Sequence, residues 1–341
     1  MKNLAKNALS ILCAFLMIFS LSLLAGCGLF GGSEYDFTYR SADKYTAGNT
    51  EIDDEYVSEH LFVRWYQGNV TVKTHDKDTI IIQEEINKQV DDKYKVHWWY
   101  SPEQTGGTTL FVEFCASEKL DFSGITKNLT ITIPRTDGNH LSFDTDSANV
   151  TVDTSDFDNT LSKLSFATNE GSLNAKIDSA DEVKISGCND ETDKDVVFEL
   201  TSLGKVYWLG MNSSYAKVKA TLNEVSTMDV VGSVYKDTEF FCNKGKKVKL
   251  TNSNAKIVAT VLQFDSIEIS QYAGQTVLNL PADSQFSATI SREKDYGEIE
   301  TSDVVQVDFE NVTKTDNVYK VGDGAKPISI KTAQAVYINK I

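Results

Sequence analysis

The sequence is poor in the residues that staple, kink or catalyse. Its 341 residues include 5 Cys, 4 Pro, 4 His, 4 Met and 4 Trp. Cys13 lies in the first apolar run and Cys27 just after it, which leaves Cys115, Cys188 and Cys242 at unpatterned spacings. That odd set excludes a disulfide scaffold and a Cys-x-x-Cys pair. It allows one internal disulfide at most and suits small buried hydrophobes within strands. His60, His75, His97 and His140 are the only imidazoles, so general-base chemistry has few candidates, and each reads as a turn or strand residue. Gly-x-Ser-x-Gly, His-Glu-x-x-His and a glycine-rich phosphate loop are absent. Basic residues are outnumbered, 33 Lys and Arg against 49 Asp and Glu, for a net charge of −16. That balance argues against holding nucleic acid or an anionic lipid surface through a basic patch. After the first apolar run no segment is long and apolar enough to span a bilayer. No later window spaces apolar residues by three and four, as an amphipathic helix requires.

What is present begins with an address. Lys2 and Lys6 precede the apolar run Ile11 to Leu24, which closes on Leu24-Ala25-Gly26-Cys27. A charged start, a short apolar run and small residues mark a secretion signal over residues 1–26. Small residues before a cysteine resemble the bacterial lipoprotein signal, which implies cleavage before Cys27 and a diacylglyceryl thioether with fatty acyl chains such as palmitate on that residue. Loss of Lys2 and Lys6 with the signal takes the net charge from −16 to −18. The expected location is the extracytoplasmic face of a cell membrane, with residues 27–47 as a flexible tether.

From residue 48 the pattern is period two throughout, rich in Val, Ile, Thr and Phe. Strands are expected at Leu61 to Tyr66, Asn69 to Lys73, Thr79 to Glu85 and Lys127 to Pro134, with a hairpin formed by Tyr94 to Tyr100 and Thr109 to Phe114. From Leu141 one short strand pattern returns at Leu164, Val183, Val206, Thr227, Val248 and Ile267. A second strand falls between most of these starts, as in Asn149-Val-Thr-Val-Asp and Thr276-Val-Leu-Asn-Leu. A period near twenty that wanders slightly from one repeat to the next is the mark of stacked coils whose loops vary while their strands keep register. The expected fold is all-β: a right-handed parallel β-solenoid with an N-terminal β cap over 48–135, a body over 136–341 and atypical C-terminal strands. Leu141, Leu164, Val183, Val206, Val248 and Ile267 are expected to share one interior column.

Candidate chemistry rests on two groups. Asp144, Asp146, Asp153, Asp156 and Asp158 fall within one coil, where a catalytic carboxylate pair or a calcium site would need oxygen ligands. They lack the order of a calcium loop, and Asp is also the ordinary turn residue. The second group is Trp98-Trp99-Tyr100, near Trp65 and Tyr66. On a strand, Tyr94, Val96, Trp98 and Tyr100 share one face while His97 and Trp99 take the other. Either both sets pack into the core, or Trp98 packs and Trp99, with His97, offers a stacking platform to a sugar ring or a protein.

Four places carry a family resemblance: Leu61-Phe-Val-Arg-Trp-Tyr-Gln-Gly-Asn-Val-Thr-Val, Lys127-Asn-Leu-Thr-Ile-Thr-Ile-Pro, the coil repeats with Gly171, and Leu280-Pro-Ala-Asp followed by Gly324-Ala-Lys-Pro-Ile-Ser-Ile. Together they resemble the bacterial adhesin-type β-solenoid domain of unknown function. The chain departs from the family's usual glycine turns at Ala148 and Ala216. The resemblance implies the fold and an adhesin-like surface role, and it carries over no catalytic residue. The expected function is a lipid-anchored binding protein, not an enzyme, with no cofactor and no metal, whose partner is a wall polymer, host glycan or surface protein. An envelope structural or sensing component is the alternative, and an extracellular carbohydrate-active enzyme a more distant one.

Overall fold

The computed structural model describes residues 34–53, 59–101, 108–136, 140–231, 235–291, 304–332 and 334–341. The signal segment and Cys27 lie outside the described residues. Two units separate: residues up to 38 with Glu118–Ser123, and Tyr39–Ser117 with Gly124–Ile341. In the small unit the strands Glu34–Asp36 and Lys119–Asp121 pair antiparallel, and Phe37 meets Phe122 edge to face at 6.1 Å.

Among its described residues the large unit is all-β apart from two 3-10 turns, Ala42–Lys44 and Asp92–Tyr94. Alternation places the core. In Leu173–Ile177 the odd residues Leu173, Ala175 and Ile177 are buried while Asn174 and Lys176 are exposed. Most strands then pair in parallel with the strand one repeat later, residue on equivalent residue. Leu61, Leu141, Leu164, Val183, Leu209, Met228, Val248, Ile267 and Ile328 form one such column. Each is at most 3% exposed, and burying a side chain of this size contributes about 1.5–3 kcal/mol.

Val206 is not in that column. It stands three residues upstream of Leu209, in a second buried column with Leu161, Ala180, Val225, Gly245 and Phe264. Each turn has a corner here, with inward residues three apart (Leu161 and Leu164, Ala180 and Val183, Val206 and Leu209) and two outward residues between them. Period-two counting slips by one at such a corner. For the same reason Met228 points inward and the repeat start Thr227 outward. The corner also joins segments that alternation separates, giving the long strands Val197–Ser213, Lys217–Val231, Thr238–Asn252 and Ile257–Gln271.

The pairing is parallel only in part. Antiparallel pairs join Thr50–Asp53 to Thr79–Ile86, Thr79–Ile86 to Lys127–Pro134, and His97–Ser101 to Thr109–Glu113. Near the C-terminus Val318–Val321 runs antiparallel to both Phe286–Ser291 and Thr313–Thr315. The cause is a long excursion at each place. Asn69 stacks on Asn128 as well as Asn149, and Ile267 on Ile328, so the chain runs on for the length of several repeats before the first of these parallel pairs closes. Inside an excursion the chain can double back, as it does between Thr313–Thr315 and Val318–Val321, and strands so joined pair antiparallel. The first excursion is pinned by an internal ion pair: Lys127 Nζ lies 2.8 Å from Glu84 Oε1, both side chains being almost fully buried. The same ammonium donates to the carbonyls of Tyr94 and Phe114 and lies over the Phe114 and Trp65 rings.

Candidate ligand-binding face

Four strands bring the notable side chains to one outer face. His60–Trp65 pairs with Thr109–Glu113 on one side and His140–Thr145 on the other, both in parallel, and His97–Ser101 extends the set antiparallel to Thr109–Glu113. The inward residues Leu61, Val63, Leu110 and Val112 are core. Their alternates therefore line up outward in three rows: Trp99, Phe111, Phe62 and Ser142; Ser101, Thr109, His60 and His140; His97, Glu113, Arg64 and Asp144.

The first row is aromatic. Trp99 stacks on Phe111 with centroids 5.8 Å apart and an interplanar angle of 16°, and Phe111 meets Phe62 at 5.7 Å. Tyr45 adds a ring 5.7 Å from Trp99 and 4.6 Å from Tyr39. Lys44 Nζ lies 4.9 Å from the Trp99 ring centre, in cation–π range. Residues 39–48 cross this end of the face. Tyr39 Oη donates to the Cys115 carbonyl at 2.8 Å, Thr46–Ala47 pairs with His97–Ser101, and Gly48 N donates to Val96 O at 2.8 Å. Part of the stretch 27–47, expected as a tether, thus carries a 3-10 turn and a short strand.

Glu113 is the unusual member of the third row. It faces outward yet is only 2% exposed, and among the described residues its Oε2 has no hydrogen-bond partner. Arg64 Nη1 stands 3.8 Å away, and Arg64 Nε lies 3.7 Å from Asp144. Burial pushes the Glu113 carboxyl up to about 7; Arg64 opposes the rise and Asp144 adds to it. Burial also raises the Tyr39 and Tyr45 hydroxyls, with Glu113 adding to both. In the second row His60 and His140 stack at 3.9 Å, nearly parallel. Burial holds both imidazoles below their ordinary range, and His60 and Lys163 help bring His140 down to about 4.

The sequence-derived candidates fall as follows. Trp99 and His97 share the outer face, both half-buried, with His97 opposite Glu113 in the register and its Nδ1 2.9 Å from the Lys95 carbonyl. Trp98 takes the other face, opposite the core residue Val112. Trp65 is fully buried against Phe114. Tyr94 belongs to the 3-10 turn and precedes the strand. The aspartates are not gathered. Asp144 and Asp153 lie in strands, Asp144 against Arg64, while Asp146 accepts from Asn169 and Asp153 from Ser155. Asp156 and Asp158 sit with Asp76 around Arg135. Among the described residues no three His, Cys, Asp or Glu side chains converge as metal ligands. Cys115, Cys188 and Cys242 are buried. Sequence reasoning missed Glu113, Arg64, Phe62, Phe111 and Tyr45, because their proximity depends on pairing between distant strands. The outward phases of the strands at 60–65 and 109–113 were readable signals.

No protein-family model matches the sequence, and neither does any curated protein. Three solved structures are distantly similar. A "putative cell adhesion protein" from Clostridium sporogenes is 9% identical, with 87% of this chain and 100% of that one covered and a TM-score of 0.20. A "putative adhesin" from Bacteroides fragilis is 12% identical, covering 87% and 97%, with a TM-score of 0.32. A "putative lipid binding protein" from Parabacteroides distasonis is 11% identical, covering 86% and 97%, with a TM-score of 0.29. Likenesses this distant leave the binding chemistry to the residues of the face itself.

Proposed function

We propose that the chain is a lipid-anchored binding protein of the extracytoplasmic membrane face, a right-handed β-solenoid that presents the outer face around Trp99 to a glycan of the cell envelope or of a host. One observation carries this reading: the row Tyr45, Trp99, Phe111 and Phe62, rings spaced 5.7–5.8 Å apart on an outward sheet face. The rings pack on one another, stacked or tilted, and their half-buried outer surfaces offer apolar contact to a sugar ring, while the polar rows beside them supply donors and acceptors for hydroxyl groups. His97, Arg64 and Asp144 fill the latter role. A second reading, an envelope component that senses its surroundings, draws on Glu113, a buried carboxyl pushed up to about 7 beside the same rings.

The test is retention of the full-length chain, held in detergent micelles, on immobilised envelope polysaccharide. Trp99→Ala should lower retention at least tenfold. Trp98→Ala should act mainly on stability, lowering the melting temperature as loss of an inward indole does, by about 3–5 kcal/mol when fully buried and less for this half-buried ring. Equal retention of Trp99→Ala and the wild type would remove the face from consideration.

A further inference from the structure

We propose that the aromatic face is one end of a longer track that takes a linear, uncharged glycan, and that Trp208 is its far contact. The inference rests on the reading of the Trp99 face as a glycan site. The row that begins Trp99, Phe111, Phe62 and Ser142 continues, residue on residue, through Ser165, Lys184 and Gly210. The row beside it continues from His60 and His140 through Lys163 and Glu182 to Trp208. Trp208 is an outward, half-buried residue, and its benzo ring lies where a Cβ on Gly210 would be. The missing side chain at Gly210 lets the indole lean into the row that holds Phe62.

Phe62 and Gly210 are separated by four strand steps, about 19 Å at the usual interstrand spacing, and Trp99 adds two more. The floor between the two aromatic ends is low at Ser142 and Ser165, with the longer Lys184 beside Gly210. One strand step is close to the length of a pyranose ring, so a polymer lying across the strands meets an equivalent outward residue at nearly every sugar. The ligand is uncharged by the electrostatics of the track. Lys163 is matched by Glu182 at 3.1 Å and Arg64 stands between Glu113 and Asp144, while Lys184 in the row and Lys44 over Trp99 are single cations far apart along the track. With a net charge of −16 on the chain, a polyanion would be repelled and finds no row of cations here. A β-1,4-linked N-acetylated amino sugar fits: its acetamido methyl and ring faces suit the aromatics, and its amide and hydroxyls suit the serines and charged flanks.

The experiment titrates the full-length chain in detergent micelles with β-1,4-linked N-acetylglucosamine oligomers of two to eight units, read by calorimetry. The wild type should bind the octamer at least tenfold more tightly than the tetramer. Trp208→Ala should bring the octamer down to tetramer affinity and leave the tetramer unchanged. Gly210→Val, which places a side chain where the indole lies, should do the same, and agreement between the two separates loss of contact from misfolding. Trp99→Ala should weaken every length. Affinity that does not rise with length, or an equal loss for short and long oligomers in Trp208→Ala, overturns the track while leaving the Trp99 site intact. Absence of binding at every length overturns this ligand class and the track together, whereas the reading of the Trp99 face itself stands or falls on retention by envelope polysaccharide.

Discussion

Burial at Glu113 makes the stability of the large unit depend on pH in a window that exposed carboxylates do not reach. The folded group titrates near 7 against an ordinary value of 4.5. Below 4.5 it is protonated in both folded and unfolded chains and costs nothing. As pH rises from 4.5 through 7 the unfolded chain ionises first, and stability falls by about 3 kcal/mol in all. Glu113→Gln should remove that loss: its melting temperature should match the wild type near pH 4 and exceed it increasingly up to pH 7. Melting curves across that range check it, and a constant offset would mean that Glu113 is not desolvated. His140 has the opposite sign. Its folded value near 4 lies below the ordinary 6.5, so its contribution is complete above 6.5 and is lost as pH falls toward 4. Part of this residue-scale chemistry was legible in the sequence. Alternation placed His97 and Trp99 on one face and Trp98 on the other. Glu113 was hidden because a carboxylate on an outward strand phase reads as solvated, and its cover, Tyr39 and Tyr45, comes from a stretch without periodicity.

At the scale of the element, the repeats give strand positions reliably and inward phase less so, because each corner inserts a step of three. The pair Thr227 and Met228 decides the register. Met228→Asp should place a carboxylate between Leu209 and Val248 in a dry column and cost several kcal/mol, while Thr227→Asp, on the outward side, should stay within about 0.5 kcal/mol of the wild type. Chemical denaturation of both variants checks this, and a reversed order would restore the simpler count. A second regularity went unread in the sequence. A polar residue, two others and a small one recur as Thr145 to Ala148, Thr168 to Gly171, Ser213 to Ala216, Asn252 to Ala255, Gln271 to Gly274 and Thr332 to Ala335. The polar members are buried. Thr168 and Ser213 each accept the backbone N–H of the small residue, and Gln271 donates to the Ala255 carbonyl of the preceding turn. Ala148 and Ala216 are thus regular members of this turn, which needs a small residue more than a flexible one. At Gly171 even a Cβ would fall on the Ala148 carbonyl oxygen. The excursions were the least legible part, since nothing local announces that Asn69 finds its parallel partners at Asn128 and Asn149, 59 and 80 residues on.

At the scale of the whole molecule, the binding reading needs the chain to be held where envelope polymers are, and that rests on Cys27. Among the described residues no helix is long and apolar enough to cross a membrane. The apolar run Ile11 to Leu24 is itself short of the roughly 20 residues that a spanning helix needs. On the proposed reading, retention at the bilayer would fall to a lipid on Cys27, where each buried methylene would add about 0.8 kcal/mol and two acyl chains would anchor stably where one holds only marginally. A chain cleaved before Cys27, at −18, would draw no help from anionic headgroups, so the proposed lipid would work against a small electrostatic repulsion rather than beside an attraction. Wild-type protein should take up labelled fatty acid and partition with the detergent phase at both low and high salt. Cys27→Ala should take up no label and lose most of its membrane retention, with the residual fraction held only by the uncleaved apolar run. Label incorporation into Cys27→Ala equal to that of the wild type would place the lipid elsewhere or nowhere, and the envelope address would then have to come from the binding face alone.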